Sequence, residues 1–169
     1  MQWRELENQD CSIARTMAVI GDRWTLMILR ECFLRVRRFD DFQTHLGIGR
    51  AILADRLSLL IAHDVLAKVQ YQSHPPRYDY RLTNKGRDLH PILMAIVHWG
   101  DTHMTGPAGR PVLHEHHVCG RTFDPVMTCS ECGEALAAST VSVRPGPGRT
   151  RRDQPVTDED VDPHHGSAG

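Results

Sequence analysis

No apolar run in this 169-residue chain approaches the roughly 20 residues that a membrane-spanning helix needs, so a helical membrane protein is excluded. The first ten residues, Met-Gln-Trp-Arg-Glu-Leu-Glu-Asn-Gln-Asp, are polar and acidic and are not a secretory signal. A cytoplasmic location is the resulting expectation. The chain also lacks an H-E-x-x-H pair, a phosphate loop and a nucleophile elbow. Net charge is nearly absent, at −1, and by itself hints at no nucleic-acid partner. Five cysteines in a reducing compartment do not make a disulfide framework, which leaves metal binding or redox sensing.

What is present is unevenly spread. Residues 1–104 carry 14 Lys+Arg against 12 Asp+Glu, a net +2, while 105–169 carry 6 against 9, a net −3. Between residues 15 and 56, eight arginines stand against five acids. That is a modest basic stripe of the kind that meets phosphate.

Helical spacing predicts four short helices. Ile13, Met17 and Ile20 mark the first, with Asp10 as a candidate cap and Gly21 as a stop. The second covers Trp24 to Leu34, with Trp24, Met27, Ile28 and Leu34 facing inward. Phe39, Phe42 and Leu46 stripe the third, which Gly47-Ile48-Gly49 breaks. The fourth, Arg50 to about His63, buries Leu53, Leu57, Leu60 and Ile61. Two β-prone runs, 65–71 and 78–82, flank a Gln72-Ser-His-Pro-Pro-Arg77 turn and read as a hairpin. Thr83 caps a last helical region, in which Pro91 predicts a kink or restart. Beyond it Ile92, Leu93, Ile96, Val97, Trp99 and Gly100 form a stripe wider than a surface helix requires, which favours a partner chain.

This order, short helices and then a hairpin, is that of a winged helix-turn-helix. Its reading helix needs one apolar face for docking and one slim face for a major groove about 12 Å wide. Ala51, Ala54 and Ser58 keep that face slim, and Arg50 and Arg56 offer donors to phosphate or guanine. Arg38 precedes the third helix, and Arg77 at the hairpin tip is placed to reach a minor groove.

Over residues 11–104 the chain resembles the HxlR-type winged-helix regulators, relatives of the MarR group. The resemblance is carried by Cys11-x-x-Ala14-Arg15 and by Ile20-Gly21-Asp-Arg23-Trp24-Thr25-Leu26-x-Ile28-Leu29-Arg30-Glu31. It continues in Arg38-Phe39-Asp-Asp-Phe42, Leu53-Ala-Asp-Arg56-Leu57-x-x-Leu60, Tyr78-x-Tyr80-x-Leu82-Thr83-x-x-Gly86-x-x-Leu89 and Trp99-Gly100. It implies a homodimer on double-stranded DNA, reading a pseudo-palindromic operator and dimerising through terminal helices. Two positions depart from the family pattern: Gly49 stands where Ser usually caps the reading helix, and Asp64 where Gly usually ends it. Cys11 matches the position of a family thiol used as a sensor, and a helix N-terminus favours thiolate. The bland reading of Cys11 is a buried apolar residue, and Cys32 reads as core filler.

The C-terminal cysteines differ in kind. His116-His117-Val118-Cys119-Gly120 and Cys129-Ser130-Glu131-Cys132-Gly133 share the pattern X-x-x-Cys-Gly. Thiolates and imidazole at this spacing suit tetrahedral Zn²⁺, and the glycine permits the tight turn. The expected ligands are His116, Cys119, Cys129 and Cys132, with His114 and His117 competing for the histidine place.

The expected fold is therefore mainly α with a small β-hairpin wing, a winged helix-turn-helix followed by a small zinc-ribbon-like knuckle module. The expected division is 1–104 for DNA binding and dimerisation, 105–111 as linker, 112–144 as knuckle module and 145–169 as disordered tail. A thiol modification, electrophile or small ligand would switch the regulator. The rivals are a zinc-dependent hydrolase or thiol oxidoreductase, for which three thiolates make zinc a poor Lewis acid, and a protein-interaction module that uses the tail.

Overall fold

The computed structural model describes residues 6–148. The first hundred residues run α1 (Ser12–Ile20), α2 (Arg23–Phe33), α3 (Phe39–Leu46), α4 (Arg50–Ala62), β1 (Leu66–Gln72), β2 (Arg77–Leu82), α5 (Asn84–Arg87) and α6 (His90–His103). The result is mostly helical with one small antiparallel hairpin, the architecture of a winged helix-turn-helix. No helix among the described residues is long and apolar enough to cross a membrane.

Local chemistry sets most of the boundaries. Asp22 opens α2 by accepting from the amides of Trp24 at 2.9 Å and Thr25 at 3.4 Å, which would otherwise lack partners. Cys11, not Asp10, occupies the cap position of α1, and its side chain makes no cap hydrogen bond. Gly47 ends α3 at φ 59°, the left-handed conformation that costs a glycine least. Asp64, just past α4, also adopts a left-handed φ of 56°, which a short polar side chain tolerates. Thr83 accepts from Gly86 N at 3.0 Å and caps α5. Pro91 then sits in the first turn of α6, where its missing N–H leaves no bond unmade, so the chain restarts rather than kinks.

The core gathers Ile28 and Leu29 of α2, Phe42 of α3, and Leu53, Leu57 and Leu60 of α4, all fully buried. Helix α2 lies at its centre, touching α1, α3, α4, α6 and β2. The inward face of α2 therefore includes Leu29, while Leu34 falls just past the helix end and is 65% exposed. Cys32 is buried, and burial pushes its thiol up to about 12, which leaves it as inert filler. A Cβ on Gly86 would stand 2.2 Å from the Val65 carbonyl oxygen, so this close approach of α5 to the residue before β1 requires glycine.

Beyond α6 the chain runs through an exposed loop into a two-residue hairpin, β3 (Glu115–His116) and β4 (Arg121–Thr122), and a 3₁₀ turn at Ala138–Thr140. No residue from 105 to 148 is buried. Of the expected tail, residues 145–148 are exposed and irregular, and 149–169, with His164 and His165, lie outside the described residues.

One buried charge ties α2 to α3. Glu31 receives Arg30 Nε at 3.0 Å, and His45 Nδ1 of α3 lies 2.9 Å from its other oxygen. Burial alone would raise the Glu31 pKa, but the hydrogen bonds from His45 and Arg30 outweigh it and hold the carboxyl below its ordinary value. A depressed folded pKa contributes stability above the unfolded value and loses it as pH falls through the folded value. Glu31→Gln is expected to destabilise the protein by about 2 kcal/mol at neutral pH. In urea melts at a series of pH values, the gap to wild type should shrink as pH falls below the ordinary carboxylate range.

Candidate nucleic-acid interface and the C-terminal knuckles

Helix α4 presents two faces. Leu53, Leu57 and Leu60 dock it, and Ala51, Ala54, Asp55 and Ser58 lie on its exposed side. Ser58 returns its hydroxyl to the Ala54 carbonyl at 2.8 Å, so it adds little bulk. Gly49 caps α4 with no side chain, leaving the amides of its first turn uncovered at the exposed end. Arg50 stands there, its guanidinium 4.8 Å from the Phe39 ring centre and 3.7 Å from Asp40.

The hairpin is joined to the start of α3. Tyr80 N donates to the Arg37 carbonyl at 2.7 Å, and Arg38 forms an isolated antiparallel bridge with Asp79. Arg38 is exposed, with its guanidinium 5.0 Å from the centre of the Tyr71 ring. Tyr71 sits in the bulge between Gln70 and Gln72. Sequence reasoning missed it, because no residue type marks a bulge. Arg77 is exposed at the first position of β2. Lys68, 4.2 Å from the Tyr78 ring, adds a further cation to the wing that the sequence reading passed over.

Arg56 does not join this surface. Its Nε lies 3.5 Å from Asp22 Oδ1, its Nη2 lies 3.5 Å from Asp55, and the side chain is only 29% exposed. The carboxylate it faces is the one that caps α2. The signal for this lay in the sequence: Arg56 follows Leu53 by three positions and precedes Leu60 by four, which places it at the margin of the buried stripe. A cleft of about 450 Å³ opens beside the pair, between the segment Glu7–Asn8, Val19 of α1 and Leu59 of α4.

Cys11 is exposed at the start of α1, and all five cysteines are free thiols. In the C-terminal segment each knuckle closes on itself. Gly120 N donates to the His116 carbonyl at 2.8 Å, and Gly133 N to the Cys129 carbonyl at 2.9 Å. Both glycines take left-handed φ values, 65° and 77°. Cys119 Sγ lies 3.5 Å from His116 Nδ1. The amides of Cys132 and Glu131, then the Cys132 side chain, hold the Cys129 thiol below its ordinary range. Among the described residues no three ligand-type side chains gather in a group that could hold a metal ion, so the four expected ligands stand as two pairs.

The first hundred residues thus expose the slim face of α4 and a hairpin that carries the exposed Arg77. A family model for HxlR-like helix-turn-helix proteins matches residues 19–107. The chain belongs to this HxlR-like family. An uncharacterized HTH-type transcriptional regulator of Mycobacterium tuberculosis is 43% identical over 137 residues, 81% of this chain and 87% of the relative. The structure of PA1607, described as a candidate transcription factor, superposes with a TM-score of 0.75 at 35% identity, covering 83% of this chain and 98% of its own. The redox regulator HypR in its oxidized form matches with a TM-score of 0.51 at 28% identity, over 57% of this chain and 100% of its own. This HxlR-like chain is a transcriptional regulator of the helix-turn-helix type and not an enzyme.

The appendix is shared in part. Only 107 residues lie up to the end of the family match, so a 137-residue match reaches at least 30 residues beyond it.

The Arg56–Asp22 geometry makes a stability prediction. Asp22→Ala should cost about 1 kcal/mol through the lost cap. A double-mutant cycle with Arg56→Ala should give a coupling of about 0.5 kcal/mol. In DNA titrations Arg56→Ala should leave the salt dependence unchanged; a slope reduced by about one would return Arg56 to the phosphate contacts.

Proposed function

We propose that the chain is a sequence-specific regulator that binds a pseudo-palindromic operator on double-stranded DNA as a homodimer. The observation that carries this reading is the exposed slim face of α4, with Arg50 at its free N-terminus and Arg77 exposed on the hairpin of the same fold. The helix N-terminus and Arg50 suit a phosphate, Ala51, Ala54 and Ser58 suit close approach to base edges, and Arg77 suits the neighbouring minor groove. Arg38, braced on Tyr71, belongs to the backbone contacts. Residues 1–104 carry this work, and 105–111 link them to a separate module at 112–144.

Dimerisation through α6 is supported by Ile92, Ile96 and Trp99, which leave an apolar stripe open, Trp99 at 59% exposure. A second copy of α6 is the partner that also sets two reading helices at a symmetric spacing. Switching follows from any event with different affinity for the bound and released dimers. Cys11 is the candidate for a thiol or electrophile signal, since it is exposed and the neighbours include a redox regulator solved in reduced and oxidized forms. A small ligand in the cleft beside Arg56 is the other candidate effector.

Binding to the DNA upstream of its own gene, titrated across salt concentrations, tests the reading. Arg50→Ala and Arg77→Ala should each weaken binding and lower the salt slope by about one. Ala54→Glu should abolish sequence-specific binding while the melting temperature holds, because a bulky anion would then occupy the groove face. Salt-insensitive or absent binding would retire the proposal.

A further inference from the structure

We propose that His116, Cys119, Cys129 and Cys132 bind one zinc ion within a single chain, His116 through Nδ1, and that the ion closes residues 112–144 into a ribbon. The inference is independent of DNA binding. It starts from a deficit: no side chain from 105 to 148 is buried, and Val118, Met127 and Val143 stand in solvent. A segment this short cannot bury enough apolar surface to hold itself together, and metals or disulfides do that work in small modules. Disulfides are absent here, because all five cysteines are free.

Yet the backbone has built the same turn twice. In each knuckle a glycine directly after the second ligand adopts left-handed φ and returns its amide to the carbonyl of the first, at His116 and at Cys129. Each turn sits in its own hairpin. Glu115 pairs with Thr122 and His116 with Arg121 in the first, and Thr128 bridges Ala135 in the second. Two hairpins of one plan, each presenting two ligand residues, form the two halves of a tetrahedral shell.

The first half already has the dimensions of that shell. Zinc bonds of about 2.3 Å to sulfur and about 2.05 Å to nitrogen, at the tetrahedral angle, set S and N about 3.5 Å apart. Cys119 Sγ and His116 Nδ1 are 3.5 Å apart. This contact selects His116 over His114 and His117. The two pairs do not meet among the described residues, so joining the halves is what remains for the ion to do, and no packed core in the segment has to be broken for it. Three thiolates and one imidazole fill four positions, so the shell is closed and structural. Asp124, between the knuckles, accepts from Arg110 at 2.6 Å and lies 3.7 Å from His98 of α6.

The test is metal analysis of the full chain, expressed with zinc and purified under reductant without chelator. One zinc per chain is expected, with Cys119, Cys129 and Cys132 protected from a thiol reagent until zinc is removed. Cobalt(II) in its place should show tetrahedral d–d bands with thiolate charge transfer. Cys119→Ser, Cys129→Ser, Cys132→Ser and His116→Ala should each lose the metal. His116→Cys should keep it, and so should His114→Gln and His117→Gln. Unchanged circular dichroism of the helical domain would separate metal loss from general unfolding. Wild-type protein that takes up no zinc when zinc is added overturns the site. One zinc per two chains overturns the single-chain arrangement, and metal loss in His114→Gln or His117→Gln overturns the His116 assignment.

Discussion

Burial of both Ile28 and Leu29, neighbours on α2, is the constraint on which the regulator's architecture rests. Adjacent residues on a helix point about 100° apart, so burying both requires neighbours on two sides. Helices α1, α3, α4 and α6 and strand β2 all touch α2 and take their places from it. Its polar residues extend the same role. Asp22 caps its start and faces Arg56 of α4, and Glu31 near its end engages His45 of α3. The helix that carries none of the proposed DNA contacts therefore sets the angle at which α4 is presented.

That arrangement divides the labour of the arginines. Arg56 works inward, bracing α4 against the cap of α2, while Arg50 and Arg77 are exposed to solvent. A guanidinium held between two carboxylates presents little free charge to a phosphate, whereas one stacked on an aromatic ring keeps its donors available. Arg38 on Tyr71 has that second arrangement, and Arg50 on Phe39 combines it with a solvent-exposed approach to Asp40 at 3.7 Å. The hairpin is joined through Arg37 and Arg38 to the segment that leads into α3.

The C-terminal segment obeys different physics. Burial organises the first hundred residues, but among the described residues from 105 on backbone turns, short hairpins and the Arg110–Asp124 pair give what order there is. Its match to mycobacterial relatives beyond the family region, and the coverage of PA1607, mark it as a shared part of a longer form of this regulator.

The amino-acid sequence by itself determined where helices begin and end, because caps, glycines and prolines act within a turn of their own position. Gly47, Thr83 and Pro91 behave as local stereochemistry demands. It also determined the α4 stripe of Leu53, Leu57 and Leu60 and the spacing of both knuckles, since each repeats at a period the backbone imposes. Only the tertiary structure decided what depends on distant neighbours: that Leu29 and not Leu34 enters the core, that Tyr71 bulges beneath Arg38, and that His116 is the histidine facing a thiol. Arg56 lies between the two cases. Its place beside the buried stripe was legible in its spacing, but its partner was not, because Asp22 stands 34 residues away and meets it only when α2 and α4 pack.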